Sequence, residues 1–226
     1  MTRELVIAAY DKDYSWIDRI DKQVKVTVYR KGENSKQRES EIILTPNKGR
    51  CVHTFFNHIY TNYDNLSDYT FFAQDYPFDH WENIVHVINE DNPDFYEITA
   101  QLKIDGYYGF HYNTITVPSE KGGIMWNLSP SNHHGDGRVL ICSSNGSPQD
   151  TNPNINVDKY WSMFFECSVP SHYEFMPGGH FGITKNHAQL RSKSFYKKII
   201  DLLLQEEHSP WIIERLECYI FNPNFK

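Results

Sequence analysis

Three loops in the first half of the sequence carry side chains suited to binding a phosphorylated ligand. Tyr10–Ser15 contains two carboxylates, Asp11 and Asp13, beside the aromatic ring of Tyr14. Pro46–Arg50 ends in a glycine and an arginine at a predicted helix start, where backbone N–H groups and a guanidinium can bind phosphate oxygens. Gln74–His80 contains Asp75 and Asp79, which offer the hard oxygen ligands that Mg²⁺ prefers. The three loops together are more informative than any one of them.

Each loop also has a purely structural interpretation. Asp79 and Glu82 form a capping box at the start of a predicted helix, and Asp13 can cap another. Arg50 taken alone is more often a surface residue than a phosphate ligand. The sequence contains neither Gly-x-Gly-x-x-Gly nor the P-loop pattern, which disfavours a dinucleotide-binding protein and a P-loop NTPase.

Alternating strands and helices must position these loops. Apolar or alternating runs predict strands at Leu5–Tyr10, Lys25–Tyr29, Glu41–Leu44 and Tyr69–Ala73. Apolar stripes predict one helix through Val52, Phe55, Phe56 and Ile59, and a second opened by Asp79 with Trp81, Ile84, Val85 and Ile88. This alternation predicts a three-layer α/β sheet, in which ligands bind outside the carboxyl ends of the strands.

The second half of the chain has fewer periodic signals. Residues 92–158 are rich in Pro, Gly, Asn and Ser, and we expect them to cover or complete a binding cleft. Tyr160–Cys167 predicts a strand or a short helix, and Pro177–Ile183 predicts a tight turn into a strand. Two further helices are predicted from apolar stripes: Phe195, Ile199, Leu202, Leu203; and Ile212, Leu216, Tyr219, Ile220.

Composition narrows the function classes. The chain has 226 residues with 22 Lys+Arg against 29 Asp+Glu, a net charge of −7 that disfavours a general nucleic-acid binder. No apolar run approaches the length of a membrane span, and no signal peptide is evident, so we expect a cytoplasmic protein. The four cysteines are scattered, which disfavours a disulfide framework and a zinc–cysteine site.

Several short segments occur in an order that is typical of one enzyme class: Val6–Asp13, Pro46–Arg50, His58–Ile59, Tyr63–Leu66, Phe71–Asp75, Gly178–Phe181 and Glu214–Arg215. Together they resemble GT-A-type nucleotide-sugar glycosyltransferases. The pattern is similar to a glycosyltransferase-like family of microbes, fungi and large DNA viruses, and to the N-terminal domain of chlorovirus capsid-glycan enzymes. The resemblance implies one GT-A-like (Rossmann-like) domain over residues 1–226, a mixed sheet flanked by helices. Residues 1–90 would form its nucleotide-binding half and residues 91–226 its acceptor-side half.

The resemblance also implies an activity and a set of ligands. The protein would be a hexosyl- or deoxyhexosyltransferase that moves a sugar from a nucleoside-diphosphate donor, with UDP-sugar the leading class, to a glycan acceptor. Mn²⁺ or Mg²⁺ would assist, and a viral protein of this kind would act in the host cytoplasm. Ala8, Ala9, Tyr10 and Asp13 would hold the base and ribose, and Arg50 would lie near the diphosphate.

The metal motif departs from the family pattern. Gln74 and Asp75 stand where an Asp-x-Asp motif normally ends the fourth strand. Asp75 is therefore the first candidate metal ligand and Asp79 the second. A cationic side chain can also stabilise the leaving diphosphate in place of a metal.

Glu214 is the candidate general base for an inverting transfer. It lies off the apolar stripe of its helix, and it matches the Glu-Arg pair of the resemblance. The alternative is an exposed helix carboxylate paired with Arg215 or with a neighbouring lysine. His180 follows two glycines that allow close backbone approach, and it could line the donor or acceptor pocket.

Two rival functions remain open. The chain could be a non-catalytic nucleotide-sugar or glycan-binding module with a degenerate transferase fold. It could also be a metal-dependent phosphoesterase that uses His133, His134 and Asp136, since this spacing supplies three possible ligands.

Overall fold

The computed structural model describes residues 1–31, 38–89, 107–109, 115–118, 141–142, 148–149, 157–175, 178–222 and 224–225. Its strands are β1 (Arg3–Ala9), β2 (Val24–Lys31), β3 (Ile42–Leu44), β4 (Tyr69–Gln74), β5 (Tyr107–Gly109), β6 (Ile115–Pro118), β7 (Ile141–Cys142), β8 (Pro148–Gln149), β9 (His172–Phe175) and β10 (Phe181–Thr184). Its α-helices are α1 (Arg50–Thr61), α2 (Ile84–Ile88), α3 (Val157–Phe164), α4 (Lys185–Ala188), α5 (Lys193–Gln205) and α6 (Ser209–Phe221). Short 3₁₀ helices occupy Ser15–Arg19 and Tyr63–Asn65.

Six strands form the central sheet in the order β3-β2-β1-β4-β10-β5. The first four run parallel, whereas β10 is antiparallel to both of its neighbours. Phe181, the first residue of β10, pairs with Phe72 near the end of β4. The segment that enters β10 therefore lies at the carboxyl edge of the parallel strands. The predicted α/β fold with a mixed sheet is confirmed, and its strand order is compatible with a Rossmann-like fold.

An apolar core lies on each face of the sheet. Val6 and Ala8 of β1 belong to the core that includes residues of α1, α5 and α6. The alternate β1 residues Leu5, Ile7 and Ala9 belong to the other core, which includes the 3₁₀ helix at 15–19 and α2. β1 is buried on both faces, as its continuous apolar run predicts.

The predicted capping box at Asp79 is wrong. The chain makes a turn instead, in which the N–H groups of His80 and Trp81 donate to the carbonyl of Pro77. α2 begins only at Ile84, and its N-cap residue Asn83 makes no side-chain capping bond. The alternatives for residues 160–167 are resolved in favour of a helix, α3. Within the described ranges no helix is long and apolar enough to cross a membrane.

Candidate functional site

Asp75 joins the ends of β1 and β4. Its Oδ2 accepts hydrogen bonds from the backbone N–H groups of Tyr10 at 2.9 Å and Lys12 at 3.0 Å. Its Oδ1 accepts from the N–H of Tyr76 at 3.1 Å, and its carbonyl accepts from the indole of Trp16 at 2.8 Å. The side chain is buried, so these bonds form away from bulk water. Asp75 thereby fixes the loop that follows β1 against the loop that follows β4.

A buried ion pair holds the same loop from the side of β2. Two guanidinium nitrogens of Arg30 donate to the carboxylate of Glu41 at 2.9 and 3.2 Å, and Tyr14 donates to the same carboxylate. The remaining terminal nitrogen of Arg30 donates to the carbonyl of Tyr10 at 2.6 Å. The hydrogen bonds that Arg30 donates to Glu41 raise the pKa of Arg30, while burial and Glu41 raise the pKa of Tyr14. Sequence reasoning missed this cluster, because Arg30 and Glu41 flank a polar segment and share no recognisable motif.

The glycine turn before β10 brings two predicted site residues together. The N–H of Gly178 donates to the carboxylate of Glu214 at 2.9 Å, and the amide of Gln74 donates to the carbonyl of Gly178 at 2.8 Å. Gly178 and Gly179 both have positive φ angles, of 108° and 64°, which favour glycine. Glu214 is half-buried and accepts a hydrogen bond from the turn that precedes β10, so it is not simply an exposed helix carboxylate.

Two histidines pack beside this turn. The rings of His80 and His180 meet edge-on with their centroids 5.3 Å apart. A Cβ atom at Gly178 would lie 3.1 Å from the His80 ring, so that ring directly abuts the turn. His180 is buried, and it connects the turn to β10.

Arg50 lies at the start of α1, across from α6. Gly49 and Arg50 both adopt positive φ angles, of 70° and 51°, which is uncommon for an arginine. A Cβ atom at Gly49 would lie 2.7 Å from the Cβ of His53, so only glycine fits there. The exposed guanidinium of Arg50 lies 5.3 Å from the centre of the Trp211 ring on α6.

A buried lysine lies beneath the loop that precedes α1. Lys31 ends β2, and its ammonium donates to the carbonyl of Lys48 at 2.7 Å and contacts Nδ1 of His53 at 2.9 Å. Burial lowers the pKa of Lys31 to about 8. Burial and the charge of Lys31 lower the pKa of His53 to about 4, so the neutral imidazole can accept from the ammonium. Burial raises the pKa of the nearby Cys51 thiol to about 12, which leaves it unreactive.

α6 buries two further ionisable groups that sequence reasoning did not select. One guanidinium nitrogen of Arg215 donates to the carbonyl of Trp211 at 2.6 Å, and the group lies 4.8 Å from the Phe175 ring. Its Nε is buried, with no hydrogen-bond partner in the part of the chain that the structure describes. Glu217 is fully buried, and its carboxylate accepts a hydrogen bond from the hydroxyl of Tyr107 at 3.4 Å. Burial raises the pKa of Glu217 well above the usual range.

The two residues predicted to bind metal, Asp75 and Asp79, contact other groups of the protein. Among the described residues, the Asp75 carboxylate accepts three hydrogen bonds, all from backbone N–H groups, and this leaves it poorly suited to a cation. Asp79 is exposed, and its carboxylate lies 3.8 Å from the imidazole of His80. Among the residues that the structure describes, no group of three or more His, Cys, Asp or Glu side chains could hold a metal ion. The binding of Mn²⁺ or Mg²⁺ stays a prediction.

The remaining predicted positions differ in what they can offer. Ala8 and Ala9 are buried in β1, so they contribute backbone and packing rather than side-chain chemistry. Asp13 is exposed, and its carboxylate accepts from the backbone and hydroxyl of Ser15, which lowers its pKa. Tyr10 is 45% exposed at the end of β1.

The histidine cluster of the phosphoesterase hypothesis lies outside the described residues. These positions are His133, His134 and Asp136. That hypothesis therefore stays a prediction.

Comparison with known proteins identifies one family. A family model described as "Protein of unknown function (DUF3431)" matches residues 5–226, nearly the whole chain. No curated protein matches the sequence. The chain belongs to the DUF3431 family.

Proposed function

We propose that this DUF3431 protein is a glycosyltransferase with a GT-A-like fold. It moves a hexosyl or deoxyhexosyl group from a nucleoside-diphosphate sugar, with UDP-sugar the leading class, to a glycan acceptor. The mixed sheet supports this proposal, because ligands of open α/β sheets bind outside the carboxyl ends of the strands. The loops at Tyr10, Arg50 and Asp75 follow β1, β3 and β4, which all end at that edge.

The bond between Gly178 and Glu214 is the observation that carries the proposal. It holds a half-buried carboxylate beside the turn that enters β10, at the carboxyl edge of β4. A carboxylate fixed at that edge is suited to act as a general base. Gln74, from the last residue of β4, holds the other side of the same turn.

In the transfer, one bond forms and one bond breaks at the anomeric carbon of the donor sugar. The acceptor oxygen bonds to the anomeric carbon, and Glu214 takes the proton of that hydroxyl. The bond from the anomeric carbon to the diphosphate breaks, and its electron pair leaves with the diphosphate. The β1 end and its loop, from Ala8 to Asp13, hold the base and ribose, and Arg50 binds phosphate oxygens as a cation.

His180 has a positioning role in this scheme. It is buried between the glycine turn and β10, and its ring packs on His80, which in turn abuts Gly178. The side chain therefore supports the turn to which Glu214 is bonded.

Hydrolysis of the donor tests the proposal without knowledge of the acceptor. Many transferases slowly pass the sugar to water, so the purified protein should release UDP from at least one member of a UDP-sugar panel. Glu214→Gln should lower that release by about 100-fold or more, because it removes the base. The amide oxygen can still accept from Gly178, so UDP binding should persist. Glu207→Gln, an exposed change just before α6, is the matched control and should have no effect.

Two results would contradict the proposal. The first is that no nucleotide sugar releases its nucleotide in the presence of the wild-type protein. The second is a Glu214→Gln variant as active as Glu207→Gln.

A non-catalytic binding module is the second candidate function. The engagement of the Asp75 carboxylate with three backbone N–H groups favours it, because a catalytic metal site would use that carboxylate differently. Such a module would bind a nucleotide sugar tightly and leave it intact. The same hydrolysis assay, run beside a binding measurement, separates the two functions.

A further inference from the structure

Arg215 is a buried cation that makes no contact ion pair with any of the described residues. Its side chain is 2% exposed, and no carboxylate of the described residues lies within ion-pair distance of it. It contacts the carbonyl of Trp211 and the face of Phe175, and no described residue forms a hydrogen bond with its Nε. Buried charges in proteins are normally paired, because desolvation of an unpaired charge is costly. Arg215 therefore has the properties of a group whose partner is a bound anion.

A second guanidinium meets the same residue of α6. Arg50 lies over the ring of Trp211, while Arg215 bonds to its carbonyl. Lys31 adds a third positive charge nearby, since its ammonium bonds to Lys48, two residues before Arg50. All three cations are brought together by the start of α1, the end of β2 and the first turns of α6.

The carboxylates near these cations offset only part of their positive charge. Glu214 favours the charged form of Arg215 electrostatically and accepts a hydrogen bond from the N–H of Gly178. Glu217 is buried in surroundings that favour its neutral, protonated form. The cluster therefore keeps an excess of positive charge, which suits a ligand with two adjacent negative groups.

We infer that Arg50 and Arg215 bind the diphosphate of the donor, so that donor binding needs no divalent cation. This inference rests on the proposed function. Guanidinium groups bind phosphate oxygens with two parallel hydrogen bonds, a geometry that an ammonium cannot reproduce. When the bond from the anomeric carbon to the diphosphate breaks, the electron pair stays on a phosphate oxygen, and the two guanidinium groups stabilise that charge. No proton is transferred to the diphosphate in this step.

The test measures binding of UDP and of inorganic pyrophosphate by calorimetry, once with EDTA and once with Mn²⁺. Wild-type protein should bind UDP with EDTA present, within about threefold of its affinity with Mn²⁺. Arg50→Gln changes an exposed residue and should weaken the binding of both UDP and pyrophosphate by about 10- to 100-fold. Arg19→Gln, an exposed arginine on the 3₁₀ helix of residues 15–19, is the matched control and should bind normally.

Arg215 needs two variants, since it is buried. Arg215→Met replaces the charged group with an apolar side chain of similar length. It should weaken the binding of pyrophosphate by a similar factor. Arg215→Lys keeps the charge without the planar fork, and its affinity should lie between those of Arg215→Met and the wild type. Pyrophosphate should also raise the melting temperature of the wild type, and raise that of Arg50→Gln less.

The outcomes separate this inference from the proposed function. If UDP binds only with Mn²⁺, and neither Arg50→Gln nor Arg215→Lys weakens it, the inference is wrong and the transferase proposal stands. If UDP and other nucleoside diphosphates fail to bind under either condition, the proposed function fails and this inference fails with it.

Discussion

Removal of the Asp75 carboxylate should destabilise the protein strongly. The carboxylate accepts two hydrogen bonds from N–H groups 65 and 63 residues away in the sequence, and it is only 7% exposed. A hydrogen bond to a charged group contributes about 1.5–3 kcal/mol, so Asp75→Ala should lower the free energy of unfolding by about 3–6 kcal/mol. Asp75→Asn keeps one acceptor oxygen on a side chain of the same shape, so its free energy of unfolding should fall by roughly half as much.

Urea denaturation measures the free energies of unfolding, and amide exchange locates the change. In Asp75→Asn, exchange should accelerate most at the N–H groups of Tyr10 and Lys12, which lose a charged acceptor. The control is Asp201→Ala, which removes an exposed carboxylate paired with Lys197 and should cost about 0.5 kcal/mol or less. A cost below about 1 kcal/mol for Asp75→Ala would refute the structural role assigned to this carboxylate.

This role also determines how a metal experiment must be designed. Loss of UDP binding in Asp75→Ala would not identify a metal ligand, because the same change releases the loop that carries Tyr10. A manganese titration of folded Asp75→Asn, compared with the wild type, isolates any effect on a cation.

Two further predictions concern stability. Burial alone would raise the pKa of Glu4, but the His58 imidazole 3.6 Å from its carboxylate and a hydrogen bond from the Thr27 hydroxyl outweigh burial and lower the pKa from 4.5 to about 2. The Glu4 carboxylate should therefore contribute about 3 kcal/mol to the free energy of unfolding above pH 4.5, and this contribution should be lost as the pH falls toward 2. Acid unfolding can be followed by circular dichroism. In Glu4→Gln, the loss of stability between pH 4.5 and 2 should be smaller than in the wild type by this amount. Gly49→Ala should cost about 2–4 kcal/mol in urea denaturation, because its Cβ would lie 2.7 Å from that of His53 at a φ angle of 70°. A Gly49→Ala protein as stable as the wild type, or a Glu4→Gln protein with unchanged acid unfolding, would contradict these assignments.

The sheet could be predicted from sequence because its strands are continuous apolar runs. The patterns at residues 5–10 and 69–73 predict strands buried on both faces, and the structure confirms both except at Tyr10, which follows β1 and is exposed. The stripe of α1 was equally clear, since Val52, Phe55 and Ile59 recur at helical spacing and are all buried. Local patterns are sufficient for such elements, because burial and period are properties of neighbouring residues.

The roles of individual polar residues could not be predicted in the same way. The sequence suggests Asp75 as a metal ligand, yet two of its partners are backbone N–H groups more than sixty residues away, which no local pattern encodes. Lys31 and Arg215 read as surface charges, because nothing in the sequence shows that other elements cover them. The capping box at Asp79 failed for a related reason, since the turn at Pro77 delays the start of α2 to Ile84.

A nuclear magnetic resonance titration with UDP tests most directly whether distant loops form one nucleotide site. The backbone amides of Tyr10, Tyr76, Arg50 and Gly178 should shift together and saturate with a single dissociation constant. Resonances at the opposite edge of the sheet, such as that of Thr184 at the end of β10, should stay in place. Saturable shifts confined to that opposite edge, or none at any of the four amides, would contradict the shared site.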